Sequence, residues 1–88
     1  MKTFLAKISV RLKSNVKDTK GQTLKRAIES FIEIKNLTCH LGTIYYLQFD
    51  AENQVEALHL VEKIASGLLT NEVIEEYKIK DLEEIHVS

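Results

Sequence analysis

The chain has 88 residues, of which 28% are charged and 44% hydrophobic, the balance of one ordinary folded domain. This length excludes a two-domain enzyme, and a folded monomer of this size would expose roughly 5,300 Å² and bury only about 64% of the surface of its unfolded chain. The apolar runs are too short to span a bilayer, no secretory leader opens the chain, and the single cysteine excludes an internal disulfide framework. We therefore expect one cytoplasmic domain over residues 1–88, with part of its stability supplied by a partner subunit.

The net charge of −1 is unevenly distributed along the chain. Eight basic side chains and one acidic side chain precede residue 27, which gives a net charge of +7, and the remaining residues carry −8. Proteins that bind nucleic acid usually keep a basic domain throughout, so this asymmetry favours complementary surfaces within the fold or between subunits. Scattered solvated charges are the alternative interpretation.

The first half of the chain contains a predicted strand and a predicted helix. Apolar and polar residues alternate strictly over residues 6–13, which predicts a half-buried strand. Asp18 is a suitable N-cap, and apolar residues then recur at helical spacing at Leu24, Ala27, Ile28 and Phe31. We expect this helix to cover about residues 19–34.

The second half repeats this order after a predicted hairpin. Alternation predicts strands over residues 37–41 and 43–49, with the turn near Gly42. Asp50 or Asn53 can cap a second helix that ends near Leu69, and residues 73–80 predict a last strand. A tail over residues 81–88 follows, in which Ile85 and Val87 either extend that strand or reach a neighbouring subunit.

The predicted order is βαββαβ, which is typical of an α+β fold. We expect a two-layer, ferredoxin-like sandwich in which an antiparallel sheet carries both helices on one face. The opposite face is then open to solvent or to a partner, and it combines cations with apolar side chains. This face predicts a homo-oligomer, a dimer or a tetramer, that associates through Lys7, Arg11, His40, Ile44 and Tyr46.

No arrangement of residues predicts catalysis by this chain. The three histidines, His40, His59 and His86, lack the spacing of metal ligands. Cys39 and His40 are adjacent in a predicted strand, so their side chains point to opposite faces and do not form a nucleophile and base pair. A chain this short offers little volume for a cleft that desolvates a carboxylate, and its glycines form no phosphate loop. We expect no catalytic, metal-binding or cofactor-binding residue.

Two binding functions remain as alternatives. In a single-stranded RNA-binding module of this fold, Tyr45 or Tyr46 would stack bases beside Lys7 and Arg11. The glycine-flanked aromatic cluster of that family is missing, however, and the first strand offers cations where an aromatic would be expected. A small-ligand regulatory domain would need a glycine-rich turn after the first strand, and residues 14–17 contain no glycine.

Three segments carry a resemblance to a known family. LKSNVKDTKG follows the family pattern L-K-P-G-V-x-D-P-x-G, CHLGTIYYLQF keeps the glycine of its hairpin, and LLTNEVIEEYKI follows L-L-x-N-P-V-I-E-x-Y-x-V. The last segment is the most specific. Over nearly the whole chain the sequence resembles PurS, the small subunit of bacterial and archaeal phosphoribosylformylglycinamidine synthase. It departs from the pattern at Thr43, where the family usually has lysine. It also departs at Ser14, Thr19 and Glu72, where the family often has proline.

The resemblance implies an accessory role in the fourth step of purine biosynthesis. A synthetase subunit that uses ATP and Mg²⁺ and a glutaminase subunit would carry the chemistry, and this chain, without a cofactor of its own, would bridge them, aid assembly and help ammonia to pass. No nucleic acid or membrane partner is expected. The expected partner contacts lie in the loop 13–21 and the turn 69–77, at Lys13, Asn15, Lys17, Asp18, Gly21, Asn71, Glu75 and Tyr77.

Overall fold

A computed structural model describes residues 1–86 of the chain. In chain order its elements are β1 (Lys2–Leu12), α1 (Thr19–Phe31), β2 (Gly42–Ala51), α2 (Gln54–Ile64), a π-helical turn (Ala65–Leu69) and β3 (Glu75–Ile85). The strands form one antiparallel sheet in the order β2-β1-β3, so that β1 lies in the centre. The prediction of an α+β, ferredoxin-like fold built on an antiparallel sheet is confirmed.

The core lies between β1 and α2. Alternation along β1 buries the side chains of Phe4, Ala6, Ile8 and Val10, as predicted for this strand, which begins four residues earlier than expected. The buried face of α2 is made of small or branched residues, which allow the helix to approach the sheet closely: Ala57, Val61 and, in the turn that follows, Ala65.

The second helix begins at the predicted cap. The Asn53 side chain accepts a hydrogen bond from the Glu56 backbone N–H at 2.9 Å, and the Glu56 carboxylate accepts one from the Glu52 N–H at 3.1 Å. These bonds satisfy backbone donors that a helix N-terminus leaves free. The regular helix ends at Ile64, and the π-helical turn continues to Leu69, the expected end.

The first helix begins at the predicted cap, Asp18, but ends at Phe31 rather than near residue 34, because Ile32 is extended with φ −145°. Gly21 is the only buried residue of this helix. In the described part of the chain, α1 makes no extensive contact with the sheet or with α2. The expectation that both helices cover one face of the sheet is therefore wrong for α1, and α2 alone forms the second layer.

Residues 37–41 do not form the predicted strand, and no hairpin turns at Gly42. The Leu41 N–H donates a hydrogen bond to the Asp18 carboxylate at 3.0 Å, which holds this segment against the N-terminus of α1 instead of beside β2. The strand β2 starts at Gly42 and pairs directly with β1. Among residues 1–86, no strand pairs with the other edge of β2.

The last strand is longer than predicted. It runs to Ile85, so residues 81–85 belong to the sheet and pair with β1 rather than forming a separate tail. The register shifts between Lys7, which pairs with Asp81, and Ile8, which pairs with Ile79. Lys80 is therefore the extra residue of a bulge in β3. The expectation for Ile85 as an extension of the strand is confirmed, and that for Val87 lies outside the described residues.

The molecule is long and thin. It measures 51 × 32 × 16 Å, and its radius of gyration is 16.9 Å, whereas a compact domain of this length has about 12 Å. Its accessible surface is 6780 Å². The position of α1 away from the sheet accounts for this open shape.

Candidate interaction surfaces

The two segments predicted to contact a partner meet at one end of the sheet. The Lys13 N–H donates a hydrogen bond to the Ile74 carbonyl at 2.9 Å, which joins the loop after β1 to the turn before β3. A shallow cavity of about 380 Å³ lies between them, lined by Lys13, Thr70, Glu72, Glu75, Glu76 and Tyr77. We call residues 13–17 and 68–77 the loop end of the sheet.

Asn71 and Glu75 shape the turn of the loop end. The Asn71 carbonyl accepts from the N–H groups of Ile74 and Glu75 at 3.0 and 2.7 Å, and its side-chain oxygen accepts from the Val73 N–H at 3.2 Å. The Glu75 carboxylate in turn accepts from the Asn71 N–H at 2.8 Å. These polar side chains therefore hold the backbone, and the half-buried Tyr77 packs against the core.

The loop end also presents two apolar side chains that sequence reasoning did not select. Val73 is 82% exposed and Leu68 is 80% exposed. Val73 lies within the turn 69–77 that is expected to contact a partner, and Leu68 directly precedes it, but neither is among the contact residues predicted by number. Their positions within the LLTNEVIEEY segment are the signal that could have identified them. Exposed apolar residues beside charged ones are typical of a protein contact.

The loop 13–21 divides its predicted contact residues into two groups. Asn15 and Lys17 are exposed and Lys13 is half-buried, so their side chains can reach a partner. Asp18, with a side chain only 10% exposed, and the buried Gly21 are occupied within the chain. They position the loop and α1.

Asp18 joins three parts of the loop region. Its carboxylate accepts hydrogen bonds from the Gly21 N–H at 2.8 Å and the Leu41 N–H at 3.0 Å, and His40 Nδ1 lies 3.9 Å away. The two backbone hydrogen bonds, with a smaller contribution from His40, hold the pKa of Asp18 below its usual value. The group is thus ionised at neutral pH and clamps residues 39–41 to α1.

The face of the sheet opposite α2, which we call the open face, carries four of the five side chains predicted for self-association. Tyr46 is 65% and Ile44 49% exposed there, and Lys7 Nζ lies 6.0 Å from the centre of the Tyr46 ring. Arg11 Nε is 3.5 Å from a Glu76 carboxylate oxygen. His40, in the segment before β2, joins Arg11 and Ile44 around a groove of about 440 Å³.

The remaining candidates for chemistry are separated by the fold. Cys39 is half-buried while the His40 side chain is 64% exposed. Tyr45 packs against the core, so it does not lie on the open face with Tyr46. Within residues 1–86, no group of three or more His, Cys, Asp or Glu side chains is placed to hold a metal ion. No helix in the same range is long and apolar enough to cross a membrane.

Residues 5–83 match the family model described as PurS, phosphoribosylformylglycinamidine (FGAM) synthase. The chain is 37% identical over 84 residues to the phosphoribosylformylglycinamidine synthase subunit PurS of Thermotoga maritima, an alignment that covers 93% of this chain and 100% of that protein. The family match begins within β1 and ends within β3, so it includes both helices and β2.

Solved structures share the fold. Thermus thermophilus PurS superposes with a TM-score of 0.84 at 24% identity, over 96% of this chain and 99% of that one. The PurLQS structure from Thermotoga maritima contains a chain that matches with a TM-score of 0.77 at 36% identity, over 97% of this chain and 100% of that one. The similarity thus holds over the full length of both relatives.

Proposed function

The chain belongs to the PurS family of phosphoribosylformylglycinamidine synthase, and from this membership we propose that it is the non-catalytic accessory subunit of that synthase in cytoplasmic purine biosynthesis. The family match over residues 5–83 is the observation that carries the proposal. The chemistry would reside in a synthetase subunit that uses ATP and Mg²⁺ and in a glutaminase subunit, with no cofactor in this chain.

Its role would be to bridge these two subunits. The matching chain from Thermotoga maritima comes from a structure described as PurLQS. A bridge raises the effective concentration of one subunit at the other, and a closed contact prevents ammonia from being lost to solvent as ammonium. The loop end supports this role, because it places exposed Leu68 and Val73 beside Lys13, Asn15 and Lys17.

Self-association of the chain would present two copies of the loop end to the partner subunits. The open face, with exposed Ile44 and Tyr46 beside paired charges, is the surface that we propose for one contact between copies. The accessible surface of 6780 Å² exceeds the roughly 5,300 Å² of a compact monomer of this mass, which favours a chain that works with part of its surface covered.

Glutamine-dependent formation of formylglycinamidine ribonucleotide tests the proposed function. Purified synthetase and glutaminase subunits are assayed with and without this chain, with ammonium as the alternative nitrogen donor. We expect the chain to restore the glutamine reaction and to leave the ammonium reaction little changed. If neither reaction responds and no complex forms, the accessory role is wrong, and binding of single-stranded RNA with a steep salt dependence becomes the next measurement.

Charge reversal at the loop end tests the bridging surface. We expect Lys13→Glu with Lys17→Glu to weaken association with the partner subunits at low salt, because rim charges steer and orient subunit encounter. Lys35→Glu with Lys63→Glu, which reverses two exposed cations outside the loop end and the open face, is the matched control. Equal association of wild type and the Lys13 and Lys17 variant would remove this surface from the proposal.

A further inference from the structure

The groove on the open face lies where short side chains meet long ones. Its volume of about 440 Å³ is within the range of small-ligand pockets, roughly 300–1,000 Å³. The register of the sheet places Gly42 opposite Arg11 and Ser9 opposite Lys78. Because glycine has no side chain and serine a short one, the long side chains beside them enclose a space above the sheet.

Most of the charged residues around the groove are basic. Arg11, Lys78 and Lys80 line it together with His40, and among the described residues that line it Glu76 alone is acidic. Glu76 lies 3.5 Å from Arg11 Nε, whereas in residues 1–86 neither lysine has a carboxylate within 4.0 Å. Two positive charges on β3 are therefore uncompensated, and sequence reasoning had selected neither of them.

The bulge in β3 contributes to this arrangement. Lys80 is its extra residue, and both Lys78 and Lys80 line the groove. Bulges redirect side chains and are common beside active sites. The irregular pairing of this strand thus coincides with the concentration of positive charge.

The opposite side of the groove is apolar. Leu41 is 40% exposed and Ile44 49%, and both line the groove at the start of β2. Since β1 lies between β2 and β3, this apolar side is two strand spacings, about 10 Å, from the lysines. Ser9 and Thr43 add hydroxyl groups that can donate hydrogen bonds to an anion.

A phosphate ester fits the cationic side better than a carboxylate does. It carries a charge of about −1.5 to −2 at pH 7 and three acceptor oxygens, enough to engage both lysines. The Arg11 guanidinium has five N–H donors, so it can bind a second anion while it remains paired with Glu76. The apolar side then requires a ligand in which the phosphate is joined to a planar or apolar group.

We propose that the groove binds a nucleoside monophosphate. The phosphate lies beside Arg11, Lys78 and Lys80, where charge-assisted hydrogen bonds hold it. The base packs against Leu41 and Ile44 on the other side of the groove. This site goes beyond the proposed bridging role, because it gives the chain a small-molecule ligand of its own.

Occupancy of the groove would also regulate association between copies. Arg11 and Ile44 belong both to the groove and to the surface proposed above for self-association. A bound nucleotide and a second copy would compete for these side chains, so the nucleotide would favour separated copies. This regulatory consequence rests on the self-association proposed above, whereas the binding site itself does not.

Titration of the full chain with adenosine monophosphate (AMP) at low salt tests the site. Amide NMR signals report both the affinity and the location of binding. We expect the signals of Ser9, Gly42 and Thr43 to shift and to saturate. Adenosine, which lacks the phosphate, is expected to bind at least about tenfold more weakly, because hydrogen bonds to charged groups contribute most of the affinity.

Neutralisation of the two lysines tests their role. We expect Lys78→Gln with Lys80→Gln to weaken AMP binding at least about tenfold. Lys35→Gln with Lys63→Gln is the matched control, since it removes the same charge from exposed positions outside the groove and is expected to retain the affinity. The dispersion of the NMR spectrum shows that each variant is folded.

Four results would overturn the assignment. The first is that AMP causes no saturable shift. The second is that both lysine variants weaken binding equally, which would indicate attraction to net charge rather than to the groove. The third is that inorganic phosphate binds as tightly as AMP, which would remove the base from the site. The fourth is that oligouridine binds more tightly than AMP with a steep salt dependence, which would assign the groove to nucleic acid.

Sedimentation with and without AMP measures the competition separately. We expect AMP to weaken self-association of the wild type. If AMP binds and association is unchanged, the open face is not the contact between copies, and the nucleotide site stands without the regulatory consequence. The glutamine assay contains no AMP, so failure of the accessory role is distinguished from failure of this site.

Discussion

At the scale of single residues, Asp18 has the most connections in the loop region. Its two carboxylate oxygens accept from Gly21 and Leu41, which lie on different segments, and so the residue both caps α1 and fixes the approach to β2. The helical spacing after Asp18 identified the cap in the sequence. The hydrogen bond to Leu41, 23 residues away, could not be predicted because it depends on the path of the intervening chain.

The lowered pKa of Asp18 predicts a dependence of stability on pH. The carboxyl of the unfolded chain has a pKa of about 3.9, and the hydrogen bonds from Gly21 and Leu41 hold the pKa of the folded group below that value. The stabilising contribution of this group is therefore complete above about pH 4 and is lost as the pH falls through the folded pKa. Urea unfolding between about pH 6 and pH 3 measures it. Asp18→Asn, which retains the shape of the cap, is expected to flatten this dependence, and an unchanged slope would contradict the assignment.

Gly21 allows the segment 39–41 to lie against α1. A Cβ at this position would lie 2.5 Å from the Cys39 carbonyl oxygen and 2.7 Å from an Asp18 carboxylate oxygen, too close for either to remain in place. Gly21→Ala is expected to destabilise the chain by about 1–3 kcal/mol, although alanine favours a helix by up to about 1 kcal/mol. Chemical denaturation measures the change. Gly67→Ala, where no atom lies within 4 Å, is the matched control.

At the scale of elements, β1 and α2 carry the fold. Each is half-buried, so its periodicity is visible in the sequence. Apolar and polar residues alternate along β1, and the buried residues of α2, Ala57 and Val61, recur at helical spacing. Their positions were therefore predictable. The apolar spacing of α1 is equally regular, but amphipathicity indicates only that a helix has a surface to cover and not which surface covers it.

The predicted strand over residues 37–41 failed for a related reason. Alternation of Leu37, Cys39 and Leu41 with polar residues is typical of a strand, yet a strand forms only if its backbone groups find a partner. The Leu41 N–H is bonded to a side chain instead of to β2. The loop end was predicted from a resemblance, and periodicity could not reveal the exposure of Leu68 and Val73.

Because β1 lies in the centre of the sheet, we expect the truncation of a side chain to cost much more stability on the buried face of the sheet than on the open face. Ile8 is 0% exposed, and Ile8→Ala is expected to lower the free energy of unfolding by about 2–5 kcal/mol through lost burial and a cavity. Ile44→Ala on the open face, at 49% exposure, is expected to change it by less than about 0.5 kcal/mol in dilute solution. Urea denaturation of both variants compares them, and equal losses would contradict the assignment of the two faces.

At the scale of the whole molecule, thinness is the dominant property. A thickness of 16 Å leaves room for two layers only, and only eight hydrophobic residues are buried in the described part of the chain. Such a core supplies little stability on its own. The open shape was not predictable from composition, which resembles that of any compact domain.

Association should therefore be visible in thermal stability. Binding of a second copy stabilises the folded chain by mass action, so we expect the unfolding temperature to rise by a few degrees when the protein concentration increases tenfold. Scanning calorimetry at two concentrations measures this. A variant with Ile44→Ser and Tyr46→Ser on the open face serves as the comparison and should show a smaller rise. A temperature independent of concentration would indicate that the chain is stable as a monomer.

The unpaired edge of β2 has a consequence for the cell that makes this protein. Residues 42–49 of that strand contain no charge and no proline, the two devices by which natural edge strands resist the addition of further strands. Newly made chains that have not yet been incorporated into an assembly thus offer a template for aggregation. Balanced synthesis of this chain and its partners, rather than production in excess, would keep the pool of unassembled copies small.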